Sequence, residues 1–369
     1  MSHESYMRRA LELAGVAEGR TRPNPAVGAV LVRDGEIVGE GYHPQAGLPH
    51  AEIYALRAAG ALARSADLYV TLEPCSHHGR TGPCADAVLA AGVARVFVGT
   101  QDPNPQVAGR GIARLREGGV AVEVGVLEAD CRRMIAPFAK HVTVGTPYVI
   151  LKSAVTLDGQ TATVGGESQW ISNAESRAEV HRLRDRIDAV MVGAGTVLRD
   201  DPKLTTRLPT GGRDAMRIVV DSRLRIPEEA ALLHLESSAP TVIATTAGAS
   251  ATKRQRLESL GAQVLVVGAD AEGRVDLRQL MVQLGAMDVQ SILLEGGAEL
   301  NAAALRCGIV DRAMIFVAPL LLGGHGGKGI FAGTGVERLC EATSLTEIRV
   351  RRFGDDTLIE GEVQPCSPV

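Results

Sequence analysis

Four residues whose types bind metals or move protons lie in the first quarter of the chain. His50 and Glu52 open "HAEIYALRAAG", an amphipathic helical pattern, and Cys75 and Cys84 lie in "PCSHHGRTGPC". Residues i and i+2 of a helix point to different faces, so His50 and Glu52 can converge only on a partner beyond the helix N-terminus. A metal ion at that end would explain why the two residues stand together.

The donor types and their positions predict a catalytic zinc site. Thiolates and imidazole bind zinc, and His50, Cys75 and Cys84 would leave a fourth position open for water. Cys84 opens a helix, whose N-terminus favours a thiolate. A zinc-bound water loses a proton near neutral pH, and Glu52, which is not a ligand, would pass that proton to the departing group. H-x-E with P-C-x-x-C is typical of zinc nucleobase deaminases, although here eight residues separate the cysteines.

The elements around these residues predict a layered α/β domain. "AVGAVLVRDGEIVGEGYH" indicates two strands joined by a tight turn, and helices are expected at 4–18, from about 50, at "CADAVLAAG" and at 128–139. "DLYVTLEP", "ARVFVGT" and "VAVEVGV" indicate further strands. This alternation fills about 145 residues, a usual domain size. We therefore predict one domain over 1–145 and another over 146–369.

The second domain repeats the alternation of strands and helices without a standard nucleotide motif. Strand-like runs extend from "YVILKSAVTLDG" to "RAMIFVAPLLLG", before a final hairpin near Gly354. "VGAGTVL" lacks the third glycine of the dinucleotide fingerprint. "GGHGGKG" lacks the first glycine and the Ser or Thr of a phosphate-binding loop. Generic motifs therefore do not identify the ligand of this domain.

Composition limits the classes of partner. The 369 residues carry a net charge of −4 and only 3% aromatic residues, which disfavours nucleic acid and anionic membranes as partners. The N-terminus lacks the apolar core of a signal peptide, and the run "AMIFVAPLLL" is too short to span a bilayer. The other cysteines, at 131, 307, 340 and 366, are interpreted as plain thiols. We expect a cytoplasmic enzyme that acts on a small molecule.

Motifs in both domains resemble one family. "TRPNPAVGAVLV", "PCSHHGRTGPC" and "QDPNPQVAGRG" closely resemble the deaminase half of the bifunctional riboflavin-biosynthesis deaminase/reductases, although that family usually has TPPC where this chain has Thr-Gly-Pro-Cys. "LKSAVTLDGQTA", "GESQWIS", "GTVLRDDPKLTTR" and "LLEGGAELNAAAL" resemble the reductase half. The resemblance implies a cytidine-deaminase-like three-layer α/β/α domain followed by a dihydrofolate-reductase-like α/β domain. It also implies zinc, NADPH, and deamination of a diaminopyrimidine ribotide before reduction of its ribosyl chain. The sequence leaves a homo-oligomer possible without disclosing the oligomeric state.

The resemblance also implies the residues of each site. In the deaminase, Asn24 and His77, with His78 beside it, would line the substrate pocket. Contacts to NADPH are implied for Ala154, Trp170, Thr196, Asp200, Ser222, Gly296, Gly297, Ala298, Glu299 and Leu300. Contacts to the ribotide are implied for Ser168, Arg184, Leu204, Arg207 and Glu295.

Physical chemistry supports part of this set and leaves alternatives open. Lys152, Arg184 and Arg207 could bind phosphate or sugar oxygens, or could simply be surface cations. Gly296 and Gly297 could offer backbone amides to an anion at a helix N-terminus, or could form a tight turn. Lys152 and Asp200 are expected nearest the sugar carbon that accepts hydride. Histidines 77 and 78 could be additional metal ligands or could be solvated, and Trp170 could be a packing residue.

Two other classes of function compete with this interpretation. A deaminase directed at nucleic acid, with a second domain that binds RNA, would need a basic surface rich in aromatic residues, which this composition disfavours. A structural zinc site in a binding module would normally have four protein ligands and would leave Glu52 unexplained.

Overall fold

The structure of this chain is a computed structural model, and it describes residues 2–76, 82–105, 107–324 and 327–364. Contacts divide the chain into two compact units, Met1–Gly145 and Thr146–Val369. Among the helices of the described ranges, none is both long enough and apolar enough to cross a membrane.

The first unit is built around a five-stranded sheet in the order β2-β1-β3-β4-β5. Its first three strands pair antiparallel and its last three pair parallel. The strands are β1 (Gly28–Arg33), β2 (Glu36–Tyr42), β3 (Asp67–Leu72), β4 (Arg95–Thr100) and β5 (Ala121–Val124). The helices are α1 (His3–Val16), α2 (Ala51–Ala59), α3 (Cys84–Ala90), α4 (Arg110–Glu117), α5 (Glu128–Met134) and α6 (Ala136–Val144).

The single helix expected over 128–139 is two helices in the structure. α5 ends at Met134 and α6 begins at Ala136, with a proline in its first turn. Proline restricts the residue before it and is favoured in the first turn of a helix, so it marks a new start here rather than a continuation.

Helices cover both faces of the first sheet. Along β1, Ala29 and Leu31 belong to the hydrophobic cluster that includes α2, whereas Val30 and Val32 belong to the cluster that includes α1. This alternation follows the two-residue period of a strand and gives three layers. Gly41 lets α2 approach β2 closely, because a Cβ there would lie 2.4 Å from the Ala51 carbonyl oxygen. That contact fixes the start of α2, where His50 and Glu52 lie.

The second unit contains a nine-stranded sheet in the order β10-β9-β8-β7-β11-β6-β12-β14-β13. The strands are β6 (Tyr148–Thr156), β7 (Ala189–Gly193), β8 (Met216–Val220), β9 (Thr241–Thr246), β10 (Gln263–Val267), β11 (Ser291–Leu294), β12 (Arg312–Ala318), β13 (Ser344–Phe353) and β14 (Asp356–Gln364). The helices are α7 (Ala174–Arg186), α8 (Ala194–Asp200), α9 (Ala251–Ser259), α10 (Leu277–Ala286) and α11 (Ala298–Arg306).

Parallel pairing in this sheet brings several chain reversals to one edge. The seven strands β10-β9-β8-β7-β11-β6-β12 all pair parallel. The remaining two described strands form a hairpin, in which β14 pairs antiparallel with both β12 and β13. The carboxyl ends of β6, β11, β7 and β8 therefore follow one another along a single edge. In open α/β sheets this edge is where ligands bind. Buried side chains of β7, β8 and β11, packed with α10, form the core beneath it.

Candidate metal centre and cofactor cleft

The structure brings His50, Cys75 and Cys84 together at the ends of three elements. His50 is the N-cap residue of α2, Cys75 follows β3, and Cys84 is the first residue of α3. The Nδ1 atom of His50 lies 3.3 Å from the Cys84 Sγ and 3.6 Å from the Cys75 Sγ. One donor atom from each residue lies within 4.8 Å of the others. Three donors of different elements thus face one point.

The donor set and its spacing suit a zinc ion. Zinc takes thiolate and imidazole ligands at about 2.0–2.3 Å, so donors bound to one ion in a tetrahedron lie a few ångströms apart, as these do. The Cys75 Sγ accepts a hydrogen bond of 3.3 Å from the Cys84 backbone N–H. Hydrogen bonding from Cys84, together with His50, lowers the pKa of the Cys75 thiol to about 4 despite its burial. Cys75 is therefore prepared to act as a thiolate ligand.

Glu52 lies beside the three donors without being one of them. Its side chain is 3% exposed in the first turn of α2, and its Oε2 atom has no hydrogen-bond partner within the described part of the chain. Burial, reinforced by the nearby Cys75, raises the pKa of Glu52 to about 7. A carboxyl group with such a pKa can both accept and release a proton near neutral pH.

His43 links Asn24 to the metal centre and was missed from the sequence. Its Nδ1 lies 3.0 Å from the Pro49 carbonyl oxygen, which can only accept, so the Nδ1 carries the proton. The Nε2 therefore accepts from the Asn24 side-chain amide at 3.0 Å. Burial lowers the pKa of His43, which keeps the ring neutral in this arrangement. The only sequence signal was the position of His43 seven residues before His50.

Glu73 is a second residue that the sequence analysis missed. Its buried carboxylate accepts hydrogen bonds from four backbone N–H groups, those of Asp102, Gly109, Gly111 and Ile112, at 2.8–3.1 Å. A Cβ on Gly111 would lie 1.9 Å from the Pro74 carbonyl oxygen, so the two segments touch directly. Glu73 thus holds the start of α4 against the chain that leads into Cys75. Of the predicted pocket residues, His77 lies outside the described residues, as does His78.

In the second unit, three residues predicted to bind the ribotide form one charged cluster: Lys152, Arg184 and Glu295. Arg184 on α7 donates two hydrogen bonds to Glu295, of 2.8 and 2.7 Å, and a third of 3.1 Å to the Thr205 carbonyl oxygen. Burial opposes ionisation of Glu295, but Arg184 and then Lys152 outweigh it and lower the pKa of Glu295 to about 2. Burial lowers the pKa of Lys152, which lies on β6. The cluster therefore combines one fixed anion with cations that can bind phosphate or sugar oxygens.

His181 joins this cluster and was also missed. The Arg207 backbone N–H donates to its Nδ1 at 3.3 Å. Burial, together with the charges of Arg184 and Arg207, lowers the pKa of His181 to about 4, so its ring is neutral near pH 7. Its position one helical turn before Arg184 on α7 was the available signal. Leu204, also predicted here, is buried with a φ of 54° just before Thr205.

A cavity of about 1170 Å³ adjoins the edge formed by β7, β8 and β11. It exceeds the roughly 300–1,000 Å³ typical of small-ligand pockets, so it can hold a dinucleotide. Six of the predicted cofactor residues line it: Thr196, Ser222, Gly297, Ala298, Glu299 and Leu300. The Oδ1 of Asn301 is buried near Gly296 with no hydrogen-bond partner in the described chain, which marks an unused acceptor at the start of α11.

The remaining predicted residues lie outside that lining. Gly296 precedes the lined turn, Ala154 is half-buried on β6, and Asp200 is exposed at the end of α8. Ser168 is half-buried in the segment before α7. Trp170 is 63% exposed, with the guanidinium of Arg177 4.6 Å from the centre of its ring.

Comparison with known proteins defines the class of this chain. Residues 1–100 match the family described as the cytidine and deoxycytidylate deaminase zinc-binding region, and residues 147–359 match the RibD C-terminal domain. The chain therefore joins a zinc-binding deaminase domain to a reductase domain, as its two motif sets indicated.

Full-length relatives agree with both halves. The riboflavin biosynthesis protein RibD of Actinobacillus pleuropneumoniae is 43% identical over 98% of this chain and 95% of its own length. RibD of Escherichia coli (strain K12) is 42% identical over 97% of this chain and 99% of its own length. This chain belongs to the RibD family, the bifunctional deaminase/reductases of riboflavin biosynthesis.

Solved structures confirm the fold class. Acinetobacter baumannii RibD (form 1) superimposes with a TM-score of 0.84 and 36% identity, covering 98% of this chain and 99% of that one. A Thermotoga maritima protein, described as a diaminohydroxyphosphoribosylaminopyrimidine deaminase/5-amino-6-(5-phosphoribosylamino)uracil reductase, gives 0.82 and 34% identity, covering 99% of both chains. The cytidine-deaminase-like and dihydrofolate-reductase-like domains expected from the sequence are confirmed, as are the zinc and NADPH that this family uses. The chain is an enzyme that acts on a small molecule.

Proposed function

We propose that residues 1–145 deaminate 2,5-diamino-6-(5-phosphoribosylamino)pyrimidin-4(3H)-one to 5-amino-6-(5-phosphoribosylamino)uracil, and that residues 146–369 then reduce its ribosyl chain to ribityl. The observation that carries the first step is the convergence of His50, Cys75 and Cys84 beside the buried Glu52. The name of the Thermotoga maritima relative states both activities. The substrate is a pyrimidine ribotide, with no role for nucleic acid or membrane; homo-oligomerisation and a cytoplasmic location remain predictions.

In the deaminase step, Glu52 moves the proton. A zinc ion held by His50, Cys75 and Cys84 supplies the acidification of a water molecule. With zinc bound there, Glu52 would accept a proton from the attacking water and deliver it to the 2-amino nitrogen, so that the water oxygen replaces the amino group and ammonia leaves. Asn24, oriented by His43, offers its amide oxygen to the pyrimidine edge.

In the reductase step, the protein supplies position and charge. NADPH supplies the hydride when it is bound in the cavity beside α11. Arg184 and Arg207 hold the anionic ribotide, and Glu295 keeps the guanidinium of Arg184 in place through two hydrogen bonds. Lys152 and Asp200 are assigned to the neighbourhood of the sugar carbon that accepts hydride. Lys152 lies in the same charged cluster as Glu295, which supports its assignment.

Mass spectrometry of the reaction tests this function directly. Zinc-loaded protein is incubated with the diaminopyrimidine ribotide, with and without NADPH. We expect the aminouracil ribotide without cofactor and the ribityl product only when NADPH is present. A Cys84→Ser variant, given the aminouracil ribotide, should lose zinc and deamination yet still reduce. Absence of both products from zinc-loaded wild type would refute the proposal and would favour a test with RNA.

A further inference from the structure

The turn after β8 carries two arginines to the wall of the cofactor cavity. Ser222, Arg223 and Arg225 all line this cavity. The Asp221 carboxylate is buried and accepts hydrogen bonds from the backbone N–H groups of Ile226, at 2.9 Å, and of Arg223, at 3.4 Å. The Ser222 Oγ accepts from the Val275 N–H at 3.0 Å. The turn is therefore fixed on two sides, and its arginine side chains lie on a rigid support.

The order of strands places this turn at one end of a bound dinucleotide. The sheet runs β6-β11-β7-β8, with neighbouring strands about 4.8 Å apart. Under the proposed function, the nicotinamide lies beside the sugar site around Lys152 on β6. The diphosphate then meets the N-terminus of α11, which follows β11. The adenosine must continue in the same direction, across β7 towards the turn after β8.

The cations of this wall differ in what they already bind. Arg274 pairs with Glu272 and with Asp270, at 3.5 Å, and Arg278 donates to the Cys307 carbonyl oxygen at 2.7 Å. By contrast, the guanidinium of Arg223 makes no ion pair or hydrogen bond with any residue that the structure describes. Arg223 thus has all its donors available for a ligand.

Other arginines of the cavity are less well placed for the adenosine. Arg306 is in the last turn of α11, far along that helix from the diphosphate position, and Arg199 belongs to α8 after β7. Arg225 lies next to Arg223, but its Nε is already 3.9 Å from the Asp221 carboxylate. Among the arginines of the cavity, Arg223 consequently combines position with free donors best.

The same turn offers no carboxylate to an unphosphorylated ribose. A cofactor without the 2′-phosphate is commonly held by an acidic side chain that accepts from its 2′-hydroxyl. Asp221 is the acidic residue of the turn, and its carboxylate is occupied by backbone amides. Asp270 and Glu272 also line the cavity, but both are paired with Arg274. A phosphate dianion, in contrast, matches the fork of an arginine.

We propose that Arg223 binds the 2′-phosphate of NADPH and sets the preference of this reductase for NADPH over NADH. The inference rests on the proposed reductase function, because it takes the nicotinamide end from the sugar site. Arg223 is a specificity-determining residue in this assignment, and it does not contact the atoms that react.

Calorimetric titration with two nucleotides tests the assignment without turnover. Wild type, Arg223→Gln and the control Arg306→Gln, which changes another arginine of the same cavity, are titrated with 2′,5′-ADP and with 5′-ADP. We expect Arg223→Gln to weaken binding of 2′,5′-ADP about 10- to 100-fold, the size of a lost charge-assisted pair, with 5′-ADP unchanged. Arg306→Gln should leave the ratio of the two affinities at its wild-type value.

Steady-state kinetics supplies a second readout and separates two kinds of failure. In Arg223→Gln, the KM for NADPH should rise towards that for NADH while kcat stays constant. A wild-type preference for 2′,5′-ADP that Arg223→Gln retains would overturn the role of Arg223 alone. Equal weakening of both nucleotides would also overturn it. Failure of wild type to bind NADPH would overturn the proposed reductase function and the inference together.

Discussion

The candidate metal centre of the first unit and the cleft of the second differ in how widely their residues are spread along the chain. His50, Cys75 and Cys84 come from the ends of three elements close together in sequence, and their donor atoms lie within 4.8 Å of one another. The cleft of the second unit comprises the charged cluster around Glu295 and the cavity beside α11, and it draws on residues from Lys152 on β6 to Leu300 on α11. A metal demands particular side chains at one point, whereas a dinucleotide can be bound by backbone amides and scattered contacts. A metal site is therefore easier to recognise in a sequence than an extended dinucleotide-binding surface.

The largest expected effect concerns the metal centre and is a loss of deamination. Under the proposed function Glu52 moves the proton, so Glu52→Gln should lower the deamination rate about 10²- to 10⁴-fold while the three proposed metal donors stay intact. Rates are measured by ammonia release and zinc by elemental analysis. Glu36→Gln, on the exposed start of β2, is the matched control and should keep the full rate. A fully active Glu52→Gln variant would remove Glu52 from the mechanism.

The second prediction concerns the charged cluster of the cleft. Arg184→Met leaves the Glu295 carboxylate without its two hydrogen bonds in a site where the side chains are only 11% and 14% exposed. Breaking a buried pair from one side typically costs about 3–5 kcal/mol. We expect a loss of that size in the free energy of unfolding of the second unit. Urea denaturation followed by fluorescence of Trp170, the only tryptophan in the chain, reports on this unit.

Arg182 on the same helix supplies the control for that experiment. Its ion pair with Glu179 leaves the arginine 46% exposed, and exposed pairs contribute at most about 1 kcal/mol. Arg182→Met should therefore change stability by less than that. Equal losses in both variants would mean that the cluster around Glu295 has no special role in the stability of the cleft.

Sequence patterns predicted the metal donors because their chemistry restricts residue type. The H-x-E and cysteine pattern picked out His50, Glu52, Cys75 and Cys84, and these four residues converge in the structure. The alternation of strands and helices predicted both layered units. The helix break at Ile135 was not predicted. A proline at this place is compatible with a kink in one helix as well as with the first turn of a second helix, and the structure has the second helix, α6.

Residues that act on the backbone or on another side chain left no comparable pattern. The Glu73 carboxylate accepts hydrogen bonds from four backbone N–H groups between residues 102 and 112. Because any residue except proline can donate such a bond, the sequence does not identify these partners. His43 orients Asn24 and His181 meets Arg207 for reasons that only the fold creates. In the second unit, the sequence around Gly297 left both an anion site and a tight turn open, because a backbone amide is common to nearly all residues.

The third prediction tests whether the metal centre depends on the hydrogen bonds of the Glu73 carboxylate. Glu73→Gln puts amide hydrogens where the four N–H groups need an acceptor, and unsatisfied buried donors cost about 1–3 kcal/mol. We expect a loss of that size in the stability of the first unit and faster transfer of zinc to a chelator. Glu123→Gln, on the exposed β5, should change neither. Unchanged zinc release in Glu73→Gln would show that the metal centre holds its shape without this carboxylate.

The smallest expected effect is that of Trp170→Ala, which tests whether the cofactor site extends beyond the cavity lining. Trp170 is 63% exposed and its main described partner is Arg177, a cation–π contact worth about 0.5–1 kcal/mol at such a site. Trp170→Ala should therefore lower stability by less than about 1 kcal/mol, as measured by denaturation followed by circular dichroism. If Trp170 contacts NADPH, as the resemblance implies, the same variant raises the KM for NADPH with little change in kcat, although Trp170 lies outside the cavity lining. An unchanged KM would confine the cofactor site to the cavity lining and make the cleft more compact than its sequence motifs imply.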